Sequence, residues 1–197
     1  MGRAGNGMAA ETRVHVYLWW IGSGAADHDM LGTLRRQAEH VFQVPTRAWL
    51  GHDRPVDSFD PRRQQHSSTR ILKWLIESRP AQSTKVVGIT DVDLFIPILT
   101  FVYGEAQLGG AAAVVSMARL QSDNGFLPNG AQLASRLAKE CIHELGHTFG
   151  LLHCQTPQCV MARSVTLVQV DAKAPDLCHD CRIRYAEIRH QGHGHHE

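Results

Sequence analysis

No hydrophobic run in this sequence is long enough to cross a bilayer. The longest, residues 109–117, falls far short of the roughly 20 apolar residues a membrane helix needs. An excess of charge is missing too: 20 Lys and Arg face 19 Asp and Glu, a formal charge of +1. A protein that lives on phosphate backbones carries a basic surplus, so a nucleic-acid partner is not expected. Nothing resembles a signal peptide. Residues 1–12 are polar and Gly/Ala-rich, and no apolar stretch follows a basic start. The expected location is therefore cytoplasmic, where thiols stay reduced and free to bind metal; the competing reading is a secreted chain whose signal has been removed. Internal repeats and low-complexity linkers are absent, and 43% hydrophobic residues exclude a disordered chain. The length of 197 residues suits one compact domain. What stands out is 13 histidines and an odd count of 5 cysteines. Both point toward metal.

Along the chain, residues 14–21 (VHVYLWWI) are β-branched and aromatic and stop at Gly22-Ser23-Gly24, the pattern of a strand. Between residues 27 and 44, Met30, Leu31, Leu34, Ala38, Val41 and Phe42 recur at helical steps, ended by Pro45. A strand is expected over 46–50. Asp60-Pro61 reads as an N-cap and first helical residue, predicting a helix from there to about Ser78. Strands are expected at 85–90, around 101–103 and over 111–117, the last as the upper edge of a substrate cleft. Alternating strands and helices predict a mixed α/β fold.

Residues 131–149 form a third expected helix and contain His143-Glu144-Leu145-Gly146-His147. At about 100° per residue the two histidines stand one turn apart on one face, with Glu144 to the side, where it reaches a water without binding the metal. Gly150, past the helix end, permits a sharp turn that brings His153 back as a third ligand. Three histidines leave one position of a tetrahedral zinc open, the arrangement of a catalytic site. A lone HExxH is a frequent chance match; the five fixed positions of HExxHxxGxxH are not. Met161, eight residues further on, suits a turn that packs its thioether below the rings.

This elongated motif with its methionine turn resembles the metzincin clan of metallopeptidases. Its continuation through Cys154, Cys159, Met161, Cys178 and Cys181, together with residues 88–95 and 102–104, is similar to the archaemetzincin family over roughly residues 14–190. The resemblance implies a zincin-like α/β fold: a mixed twisted sheet with a backing helix and an active-site helix, and a small C-terminal lobe. The expected organisation is a disordered segment over 1–13, an N-terminal lobe of about 14–150, a C-terminal lobe of about 151–190 and a His-rich tail over 191–197. Some metzincins carry a tyrosine two residues past the turn methionine. Arg163 stands there in this chain, so an oxyanion-stabilising phenol would have to come from elsewhere; Tyr103 and Tyr185 qualify only by residue type.

Cys154/Cys159 and Cys178/Cys181 form two close pairs, and four thiolates with no open position describe a structural zinc. Two disulfides are the competing reading for a secreted protein. Because His153 and Cys154 are neighbours, a metal on the cysteines would brace the loop that delivers the third histidine. Cys141, on the helix side away from the ligands, reads as a buried, inert thiol. The expected activity is zinc-dependent peptide hydrolysis with two Zn²⁺ per chain, Glu144 as general base and acid, and a monomer acting on peptides. The alternatives are a zinc-braced peptide scaffold without turnover and a hydrolase of small non-peptide amides or esters. A zinc-ribbon nucleic-acid binder is disfavoured by the near-neutral charge.

Overall fold

In a computed structural model of the chain, the described residues are 14–24, 27–51, 54–121 and 129–191. The expected disorder of residues 1–13 and the His-rich tail beyond Gln191 lie outside them.

The centre is a five-stranded sheet. Strand β1 (Val16–Trp20) leads into helix α1 (His28–Phe42) and then strand β2 (Thr46–Leu50). A small hairpin, β3 (Phe59–Asp60) and β4 (Gln65–Ser67), precedes helix α2 (Ser68–Ser78). Strands β5 (Lys85–Thr90), β6 (Leu94–Phe95), β7 (Gly104–Ala106) and β8 (Ala112–Ser116) follow. The sheet order is β2-β1-β5-β8-β7, parallel except for β7, which runs antiparallel to β8 at the edge. Strand β6 instead joins β3 and β4 in a three-stranded side sheet.

The continuous apolar runs of β1, β5 and β8 are those of parallel strands covered on both faces. Val16, Leu18 and Trp20 of β1 bury against α1 and helix α3 (Gly130–Thr148), while Tyr17, Trp19 and Ile21 bury with Ile71, Leu72 and Leu75 of α2. Val87 and Ile89 of β5, and Ala113 and Val115 of β8, fall on the first side; Val86, Ala112 and Val114 fall on the second. The same first core continues into helices α4 (Leu167–Ala172) and α5 (His179–Gln191) through Leu167, Val170, Cys181 and Tyr185.

Three expectations are corrected. The second helix begins at Ser68, not at Asp60. Asp60 does cap a turn, its carboxylate accepting from the Arg62 and Arg63 amides, but Gln64 adopts φ +56° and turns the chain into β4. The working cap is Ser67, whose hydroxyl accepts from the Arg70 amide. Residues 101–103 make one bridge, at Val102, and the strand itself starts at Gly104. Residues 111–117 are not the edge of the sheet. Strand β8 is internal, and the edge is β7.

Candidate active site

Helix α3 starts at Asn129, whose side chain accepts from the Gln132 amide. Its last three turns are almost wholly buried, His143 and Glu144 included. At its end, Lys85 of β5 donates to the carbonyls of Thr148 and Gly110, each at 2.6 Å, tying the helix to the β7–β8 hairpin. The Gly109 amide adds a bond to the His147 carbonyl.

Beyond the helix, Gly150 takes φ +95°, a conformation L side chains rarely adopt, and the chain reverses. His153 returns to the helix histidines, its ring centroid 5.3 Å from that of His143 and 4.9 Å from that of His147. The ligand-type nitrogens of the three lie within 4.8 Å of one another. Met161 is fully buried below, so close to the helix that a Cβ on Gly146 would lie 2.5 Å from its sulfur.

The ring hydrogen bonds identify the chemistry of this group. His143 Nδ1 lies 2.8 Å from the Val160 carbonyl and His147 Nδ1 2.7 Å from the Leu151 carbonyl. A carbonyl only accepts, so both Nδ1 atoms carry the proton. Both Nε2 atoms are then bare lone pairs, yet they face each other at 3.1 Å. Two acceptors at that distance fit a cation between them; neighbouring ligands about 2.0–2.1 Å from a tetrahedral zinc are about 3.3 Å apart. Burial holds His143 well below the usual imidazole range, helped by Lys173 and His147, and burial also lowers His147 and His153. The shifts of all three rings thus favour the neutral form that ligates metal.

Glu144 is buried beside them. Burial pushes its carboxyl well above the usual range, Glu140 adds to this, and Lys173 opposes it. The histidines and Glu144 open onto a cleft of about 430 Å³. One wall is the segment 96–105, whose Ile96, Leu99 and Phe101 are apolar. Arg63 pins it by donating to the Leu99 carbonyl, and Arg119 by stacking on Phe101 while holding Asp93 with two bonds. Tyr103 also lines the cleft. Tyr185 does not: its hydroxyl donates to the Phe42 carbonyl at 2.8 Å, and burial raises it to about 12.

The four cysteines come together behind His153. Cys154 Sγ–Cys178 Sγ and Cys159 Sγ–Cys181 Sγ are each 3.7 Å, and all four sulfurs lie within 4.8 Å of one another. A disulfide needs about 2.05 Å. A tetrahedron of sulfurs about 2.3 Å from zinc has edges of about 3.8 Å, close to the two measured pairs. The Cys178 amide donates to Cys159 Sγ and the Thr156 amide to Cys154 Sγ. Burial pushes the Cys178 thiol up, but hydrogen bonds from the Cys181 amide and the neighbouring sulfurs override it and bring it to about 7. Burial raises Cys159 and Cys181. Cys141, apart from this group and buried, is pushed up by desolvation and by Glu140 and Glu144, as an inert thiol would be.

One set of residues escaped the sequence reading. Arg136, Lys139 and Glu140 of α3 grip the chain that follows the methionine turn. Arg136 makes two bonds to the Asp171 carboxylate, and Lys139 donates to the Val170 and Asp171 carbonyls. Lys173 donates to Glu140 and to the Val160 and Ala162 carbonyls. The signal was the charge set at 136, 139 and 140, polar positions on a helix about to become buried.

Such a donor set on a mixed sheet and a long buried helix is that of a zinc-dependent metallopeptidase with a zincin-like fold. The family model described as peptidase family M54 matches residues 63–187, and the chain belongs to this family, the archaemetzincins. It is 42% identical over 130 residues to the archaemetzincin of Methanocaldococcus jannaschii, covering 66% of this chain and 70% of that one. With the archaemetzincin of Haloquadratum walsbyi it shares 40% over 136 residues, 66% of this chain and 78% of the relative. The crystal structure of archaemetzincin from Methanopyrus kandleri superposes with a TM-score of 0.81 at 28% identity, covering 93% of this chain and 99% of that one. That of the Archaeoglobus fulgidus protein, complexed with malonate, gives 0.72 at 28%, covering 87% and 99%. Peptides are thus the substrate class, and a scaffold without turnover is not favoured. Among the described residues, no helix is long and apolar enough to cross a membrane.

Proposed function

We propose that His143, His147 and His153 hold the catalytic zinc and that Glu144 is the general base and acid of peptide hydrolysis. The observation that carries this is the pair of bare Nε2 atoms facing at 3.1 Å, each ring locked by its carbonyl. Zinc held there supplies Lewis acidity, acidifying water and polarising the scissile carbonyl. The chain does the rest. Val160 and Leu151 fix the tautomers of two rings, an outer shell that orients the ligands. The neutral imidazoles spare the site a competing proton. Glu144, at the base of the cleft, takes the proton of the attacking water and passes it to the departing amine. The free edge of β7, with Gly104 and Glu105 facing the cleft, receives an extended peptide by strand addition.

A second zinc on Cys154, Cys159, Cys178 and Cys181, supported by the 3.7 Å sulfur pairs, braces the loop below, giving two ions per chain. Gly150 and Met161 support the first site through the turn and the packing under the rings. The reading covers one catalytic unit, 14–190, with lobes of about 14–150 and 151–190. It also covers a monomer in the cytoplasm, where the thiols stay reduced.

The test is mass spectrometry of a peptide library incubated with zinc-loaded protein and with Glu144→Ala. Cuts made only by the wild type, with zinc content equal in both, are expected. Equal turnover by the variant refutes the base assignment.

A further inference from the structure

The cleft carries a cation that the zinc chemistry does not use. Arg163, two residues past Met161, is exposed and lines the cleft beside His153. Among the described residues its guanidinium makes no ion pair and no hydrogen bond. The carboxylates of the same cleft are accounted for: Glu140 is held by Lys173, Glu105 accepts from the Thr69 hydroxyl, and Glu144 belongs to the hydrolytic machinery. Next to Arg163, Ser164 lines the cleft too; its hydroxyl oxygen is buried and has no hydrogen-bond partner among the described residues. A buried, unsatisfied hydroxyl in a native structure calls for a missing partner.

The backbone under these two residues is fixed. The Cys154 amide donates to the Met161 carbonyl at 2.9 Å, and the Ala162 amide to the Cys159 carbonyl at 2.9 Å. Lys173 holds the Ala162 carbonyl at 3.1 Å. Leu99 and Val165, apolar and on the same cleft, reduce the water around an incoming charge and so strengthen a charge pair. A guanidinium is a planar fork of donors that matches the two oxygens of a carboxylate, and the adjacent residue brings a hydroxyl still without a partner.

We propose that Arg163 and Ser164 form a carboxylate-binding subsite that selects peptides bearing a carboxylate close to the scissile bond. The proposal rests on the peptidase reading above. Two sources share the chemistry: an Asp or Glu side chain, which makes the enzyme acid-selective within a chain, and a terminal carboxylate, which makes it trim from the C-terminal end.

The experiment uses fluorogenic peptides of one frame, built around a bond the enzyme cuts. Glu and Gln are exchanged at each flanking position in C-terminally amidated peptides, and a Gln peptide is made as free acid and as amide. The ratios of kcat/KM, Glu over Gln and acid over amide, name the source. The wild type is expected to favour one carboxylate series by about tenfold, the scale of a charge-assisted hydrogen bond. Arg163→Ala brings that ratio to about one, Ser164→Ala lowers it partway, and Arg163→Glu takes it below one. The same peptide pairs are titrated by fluorescence anisotropy against Glu144→Ala with and without Arg163→Ala, which reads the preference in Kd without turnover. Ratios near one in both series, or a ratio that survives Arg163→Ala, overturn the subsite while the amide peptide is still cut. If the zinc-loaded wild type cuts no peptide, the peptidase reading falls and takes the subsite with it.

Discussion

Lys173 and Glu140 form an ion pair at 3.0 Å with both side chains almost completely out of water. The pair sits between the methionine turn and helix α3, and the Lys173 ammonium also reaches the Val160 carbonyl that orients the His143 ring. Breaking a buried pair from one side leaves a charge with no partner. Lys173→Met is therefore expected to destabilise by about 3–5 kcal/mol, and the double variant with Glu140→Gln by clearly less. Urea melts of the four proteins of this cycle measure it. Additive losses would show that the pair is not coupled.

Removing one sulfur tests the link between the two candidate metal sites. Cys154 adjoins His153, and its amide holds the Met161 carbonyl. Cys178→Ser is expected to lower Tm by several degrees and to weaken metal retention at the histidines. Metal analysis after dialysis against a mild chelator reads both sites. Full occupancy of the histidine site in the variant would sink the coupling.

Lys85 is the sole side chain that meets both the Thr148 and Gly110 carbonyls among the described residues. Lys85→Met leaves two carbonyls without their donor and is expected to cost about 1–3 kcal/mol. Thermal unfolding followed by circular dichroism checks the loss. An unchanged Tm would mean that solvent replaces the ammonium freely.

Acid sensitivity follows from Asp171. Hydrogen bonds from Arg136 hold its carboxyl below the usual carboxylate range, although burial opposes them. A group with a depressed folded pKa stabilises the protein above its unfolded pKa and loses that contribution as pH falls through the folded value. The stability gap between wild type and Asp171→Asn is thus expected to be constant above about pH 5 and to shrink below about pH 4. Denaturant midpoints across that range decide it; a gap that widens on acidification would contradict the assignment.

The sequence carried the geometry of the histidine cluster well because it is local. His143 and His147 are fixed by the helical period, and Gly150 announces its own turn. Strands 46–50 and 85–90 are legible for the same reason, their β-branched and aromatic residues being bounded by Pro and Thr-Asp breaks. Strand β7, by contrast, is Gly104-Glu105-Ala106, with no residue that favours a strand; only pairing with β8 makes it one. At Asp60 the local rule held and the inference failed, since a capped turn and a capped helix begin alike. Helix α5 has little apolar face to read, burying just Cys181 and Tyr185. The grip of Arg136, Lys139 and Lys173 depends on residues some 30 positions apart, which no local pattern exposes.

The hydroxyl of Tyr185 on the Phe42 carbonyl joins residues 143 positions apart in sequence. It imposes a timetable on the nascent chain. Helix α1 and the parallel strands emerge early and have much of their packing available, while α5 is made after all three histidines. Until α5 docks, Phe42 and Phe149 lack the ring that covers them both. The end of helix α3 therefore gains its full aromatic cover only when α5 is in place, after the whole histidine motif has been made.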